Sequence, residues 1–149
     1  MRIILGTALL LALSGCEARP TEPQVTVEQA WVQLPVLAGR PGAAYFTLVA
    51  TNQPTKLVSV TSPRIERIEL HESVMAGGAM RMGPLRDPGF GDGGRLEFAP
   101  GGKHAMLFGI DPALKAGDRI PLTFTFEPAP PVTTQAEVRA FGAAGRDGH

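Results

Sequence analysis

Apolar and polar residues alternate along most of this chain in short runs broken by glycine and proline. In 120–126, Leu122, Phe124 and Phe126 fall on one face, with Thr123 and Thr125 on the other. That is the period-2 pattern of a half-buried strand. Comparable runs, rich in β-branched and aromatic residues, predict strands at 25–34, 43–51, 56–62, 67–73, 79–83, 95–98, 103–108 and 133–141. No segment sustains helical periodicity over three turns. Residues 111–117, with Pro112 suited to a first helical position, offer one helical turn at most. Many short strands bounded by turn signals predict an all-β sandwich or barrel in a single domain. Trp31 and Tyr45, the only residues of their kinds, lie in apolar-rich strands and are expected in the core. Asp87, Asp92 and Asp111 sit among glycine and proline and are expected to shape turns.

The first residues break the pattern. Arg2 is followed by an almost wholly apolar run from Ile3 to Leu13, the length of a signal-peptide core and too short to span a bilayer as a helix. The run ends in Leu13-Ser14-Gly15-Cys16, which looks like a bacterial lipobox. In that pattern Cys16 is lipidated and becomes the first mature residue. An ordinary secretory signal followed by an incidental cysteine is the other reading. The expected organisation is a signal peptide over 1–15, a lipidated tether over 16–24, a β domain over 25–141 and a disordered tail over 142–149. Glu17 follows Cys16. Aspartate there would resemble an inner-membrane retention signal, so the expected location is the periplasm, with the anchor in the outer membrane.

Cys16 is the only cysteine, which leaves no intramolecular disulfide and no cysteine-based metal site. Fourteen Lys and Arg balance fourteen Asp and Glu, and losing Arg2 with the signal moves the net charge from zero to −1. A nucleic-acid partner would want a basic patch, and anionic lipid a polybasic one. Neither is expected, so membrane attachment rests on the lipid.

The candidate chemistry lies in one window. Of five methionines, all but the initiator fall between residues 71 and 106, as Met75, Met80, Met82 and Met106; two of the three histidines, His71 and His104, fall there too. Gly77-Gly78 signals a two-residue hairpin turn. That turn would pair Ala76 with Ala79, Met75 with Met80 and Ser73 with Met82. His71 and Met82 then become diagonal neighbours on one face, with backbones about 7–8 Å apart. His104 and Met106 are i and i+2 and share a strand face. A hairpin and one neighbouring strand can therefore gather two imidazoles and two thioethers. That donor set suits the soft ion Cu(I), whereas Ca2+ and Mg2+ require oxygen. Met75 and Met80 share the face, either as alternative ligands or as an apolar rim. Glu72 should point to the opposite face. His149, at the C-terminus, is expected to be a solvated tail residue.

These residues carry a family resemblance. His71, Met82, His104 and Met106 stand at the His-x10-Met-x21-His-x-Met spacing of the periplasmic copper chaperone family PCuAC. The surrounding words also look alike: Ala30-Trp31-Val32, Arg40-Pro41-Gly42-Ala43-Ala44-Tyr45-Phe46, Glu69-Leu70-His71, Met80-Arg81-Met82, Pro100-Gly101-Gly102-Lys103-His104-Ala105-Met106-Leu107 and Leu114-Lys115-Ala116-Gly117-Asp118. The resemblance implies a cupredoxin-like β-sandwich or barrel holding Cu(I) on His71, Met82, His104 and Met106. It further implies delivery toward the CuA centre of cytochrome c oxidase, either directly to subunit II or through a Sco-type partner. Some members carry a His/Met-rich C-terminal extension; here the tail offers only His149, which argues against a second copper site there.

Other functions fit less well. A blue-copper electron carrier needs a Cys thiolate with two His, and the mature domain has no free cysteine. Hydrolase motifs are missing: there is no G-x-S-x-G elbow and no H-E-x-x-H zinc motif. The protein is therefore not expected to be an enzyme. The remaining alternative is a lipoprotein of structural or interaction type in which the His/Met set serves as core.

Overall fold

The computed structural model describes residues 22–143. The signal peptide, Cys16, most of the tether and His149 lie outside the described residues. Ten strands follow one another: β1 (Gln24–Gln33), β2 (Gly42–Thr51), β3 (Thr55–Thr61), β4 (Ile65–Ala76), β5 (Ala79–Pro84), β6 (Gly89–Phe90), β7 (Arg95–Phe98), β8 (Lys103–Ile110), β9 (Arg119–Glu127) and β10 (Val132–Arg139). They form one sheet in the order β5-β4-β8-β2-β1-β10-β9-β3-β6, with β7 also paired to β2. All pairs are antiparallel except β1 with β10. The sheet curls on itself. β3 and β4 belong to opposite halves of the order, yet a tight turn closed by the Ile65 N–H to the Ser62 carbonyl (3.3 Å) joins them directly.

The curl encloses an aromatic and aliphatic core. Phe46 of β2 stacks on Phe98 of β7 at 4.4 Å and meets Phe124 of β9 edge-on at 4.8 Å. Leu122, Phe124 and Phe126 are buried, as their shared face requires, beside Val32, Leu48, Leu57, Leu107 and Ile120. Burying each of these large side chains contributes on the order of 1.5–3 kcal/mol. The fold is held chiefly by this inner face.

Two expectations change, and one strand was not expected. Residues 111–117 form successive turns rather than a helical turn, because Asp111 accepts from the Ala113 N–H at 2.8 Å and Asp118 from the Lys115 N–H at 2.9 Å, diverting the backbone. β6, only two residues long, carries no readable alternation, although Phe90 is buried against Phe126. Trp31 and Tyr45 are not core. They stack on each other at 4.6 Å on the outer face, half-buried, while their neighbours Val32 and Ala44 fill the core. Arg139 lies over the Trp31 ring at 5.0 Å, and burial pushes the Tyr45 phenol above its ordinary pKa.

Gly42 shows how tightly the entry to β2 is packed. A β-carbon there would sit 2.6 Å from the Gln33 carbonyl oxygen and 2.7 Å from Ile110 Cδ1. Gln33 is itself fixed in the ladder opposite Ala43. Gly42→Ala is therefore expected to lower stability by about 1–3 kcal/mol, read as a lower urea midpoint with an unchanged slope. An unaltered midpoint would show that β2 can shift to accept the methyl group.

Candidate metal centre

The outer face of β5, β4 and β8 carries the candidate ligands, and strand alternation decides which residues reach it. β4 and β5 pair Ser73 with Met82, Met75 with Met80 and Ala76 with Ala79, the register predicted from the glycine pair. Gly77 and Gly78 both adopt positive φ at the turn, 60° and 79°. β4 and β8 pair His71 with His104 and Glu69 with Met106. Arg67, Glu69, His71, Ser73 and Met75 therefore share a face with Phe108, Met106 and His104, and with Met82 and Met80. On the opposite face Ala105 and Leu107 are fully buried in the core, which fixes the outward aim of His104 and Met106.

The two imidazoles lie side by side, ring centroids 6.0 Å apart. Met82 Sδ is 3.1 Å from His104 Nε2. His71, His104 and Met82 are thus brought together. Met106 shares their face one step along β8, half-buried. It lines, with His104, Tyr45, Val36, Leu37 and Phe141, an open groove of about 390 Å3.

Each imidazole has one nitrogen fixed. His104 Nδ1 lies 3.0 Å from the Gly102 carbonyl, and since a carbonyl only accepts, the proton is on Nδ1. In the neutral ring the lone pair is then on Nε2, the atom beside Met82. Gly101, at φ 85°, turns the chain so that the Gly102 carbonyl also receives the Ser73 N–H at 3.2 Å. His71 Nε2 lies 3.1 Å from Glu69 Oε2. An ionised carboxylate also only accepts, so in the neutral ring Nδ1 carries the lone pair. That Nδ1 is buried and has no hydrogen-bond partner among the described residues. A buried nitrogen left unpaired is costly, and metal ligation would satisfy it. A carboxylate or carbonyl on the far nitrogen is the usual support of a metal-bound histidine, and both histidines have one.

Glu69 was missed in the sequence, although two-residue alternation from His71 would have found it. Its carboxyl is held below its ordinary value, first by the hydrogen bond from His71 and then by the Arg67 guanidinium, whose Nε lies 2.8 Å away. Arg67 in turn packs over the Phe108 ring at 4.4 Å. A chain of contacts thus runs from Phe108 through Arg67 and Glu69 to His71. Among the described residues no group of three or more His, Cys, Asp or Glu is placed to hold a metal ion.

Fold and site together define a cupredoxin-like β domain of the PCuAC type. The copper-bound PCuAC domain from PmoF2 matches with a TM-score of 0.64 at 24% identity, over 78% of this chain and 92% of that one. The solution structure of CuI-DR1885 from Deinococcus radiodurans is 28% identical, with a TM-score of 0.53, over 85% of this chain and 83% of that one. In sequence, the family described as "Putative lipoprotein LpqE-like" matches residues 25–138. A protein of Leifsonia xyli subsp. xyli named "Putative lipoprotein Lxx21020" is 31% identical, over 99% of this chain and 94% of its own length. The chain belongs to the LpqE-like family.

Proposed function

We propose that this protein carries Cu(I) on His71, Met82, His104 and Met106 and hands it to a copper-accepting protein. The observation that carries the reading is His104 Nε2 3.1 Å from the Met82 sulfur, beside a His71 whose buried Nδ1 has no partner among the described residues. The likeness to CuI-DR1885, at 28% identity, supports the choice of ion. Packing does not explain Met82, which is more than half exposed. Neutral thioethers are weak donors, so an acceptor presenting thiolates would draw the ion away by stepwise ligand exchange. The chemistry is transfer without catalysis.

The finer assignments rest on the chain's N-terminal pattern, on the names of its relatives and, for the acceptor, on the resemblance to the PCuAC chaperones. Cys16 would be the lipid anchor of an exported protein, consistent with the lipoprotein names of its relatives. The periplasm is the compartment, with the outer membrane as the favoured anchor, and the acceptor is cytochrome c oxidase subunit II at CuA or a Sco-type intermediary. The reading is tested by anaerobic titration of the apo protein with Cu(I) against a chromophoric chelator. One tightly bound equivalent is expected; an inability to compete would sink it.

The carboxylate behind His71 gives a second check. Glu69→Gln keeps the shape but loses the anionic acceptor for Nε2–H. Cu(I) affinity is expected to fall roughly 10- to 100-fold while apo stability holds. An affinity equal to that of the unaltered protein would show that Glu69 does not support His71 in the loaded state.

A further inference from the structure

The tip of the β4–β5 hairpin presents a second group of thioethers. Met75 and Met80 stand directly opposite each other, 66% and 56% exposed, and Met82, two residues beyond Met80 on the same face, is 57% exposed. Directly opposed strand residues bring their β-carbons to about 5 Å, well within the span over which two methionines can share an ion. Three large apolar side chains left this open gain little from burial, so core packing does not account for them. Nor does a water-excluding rim, which would be closed over the site rather than splayed into solvent. The register puts no carboxylate on this face of the tip: Glu72, Val74 and Arg81 point to the other side. Ser73, opposite Met82, adds only a neutral hydroxyl to this face; the tip itself offers thioethers with open access, since β-carbons at Gly77 and Gly78 would meet nothing within 4 Å. The row is also continuous with the deeper site, because Met82 belongs to both and its sulfur touches His104 Nε2.

We propose that Met75, Met80 and Met82 form a thioether loading site at the hairpin tip, which captures Cu(I) before it reaches the histidines. The proposal rests on the copper-carrier reading above. Capture forms Cu–S bonds to the three sulfurs. Transfer then breaks the bonds to Met75 and Met80, keeps the one to Met82, and forms new bonds to His104, His71 and Met106. Copper remains Cu(I) throughout, and no proton leaves a thioether. Met82 acts as the pivot, so the ion is never released into solvent between the sites.

The test uses Met75→Leu/Met80→Leu, a change at exposed positions that keeps side-chain size and leaves the fold intact. Anaerobic transfer from the Cu(I)–bicinchoninate complex to the apo protein is followed by loss of the chelate's colour, for both rate and end-point affinity. The double variant is expected to load about tenfold more slowly, as local capture is lost, with its end-point affinity within twofold of the unaltered protein. Loading at the unaltered rate would overturn the proposal. Parallel losses of rate and affinity would overturn it too, because they would make Met75 or Met80 a ligand of the resting site. If the unaltered protein takes no Cu(I) at all, the copper-carrier reading itself fails, a result separate from either.

Discussion

Met82→Leu/Met106→Leu is expected to weaken Cu(I) binding by at least about a hundredfold, more than the loss of a supporting group would cost, while leaving the apo fold stable. The two sulfurs are half the proposed donor set, and leucine keeps their bulk without a lone pair. Apo stability should hold because Met82 is exposed and Met106 only half-buried, both outside the core. The measurement is chelator competition beside urea denaturation of the apo proteins. Near-normal affinity would mean that copper sits elsewhere. A stability loss of several kcal/mol would make these methionines packing residues and restore the structural-lipoprotein alternative.

How much of this was legible without coordinates depends on what strand alternation can and cannot say. It separates two faces but does not label them. Around the glycine pair this was enough, since a two-residue turn fixes register by itself and Ser73 had to meet Met82. In β1 it was not. Trp31 and Val32 are both apolar and point opposite ways, and the bulge between Glu28 and Trp31 resets the parity midway along the strand. The smaller Val32 fills the core, while the larger Trp31 stacks with Tyr45 outside, where Arg139 covers it. Glu69 escaped for a related reason. A carboxylate two residues from a candidate ligand shares its face, but alternation alone does not say whether it is solvated or bonded to the imidazole, and only the Glu69–His71 contact decides that. β6 was invisible because two residues contain no period at all.

Phe124→Ala should cost about 3–5 kcal/mol of stability, a large share of the 5–15 kcal/mol typical of a domain. Phe124 is fully buried and links β9 to β2 through the edge-on contact with Phe46, so its loss opens a cavity where the two sides of the curled sheet meet. Phe141→Ala, at a residue 65% exposed, is the control and should change stability by less than about 0.5 kcal/mol. Both are read by urea denaturation. The comparison also tests how the molecule divides its labour, because the core occupies one face of β4 and β8 and the candidate ligands the other. The folded fraction of Phe124→Ala should therefore bind Cu(I) as the unaltered protein does, and saturating Cu(I) should raise the stability of both by the same increment, since a ligand that binds only the native state stabilises by mass action. A weaker increment in the variant would mean that core packing sets the spacing of His71 and His104, and that the two faces of the sheet are energetically coupled.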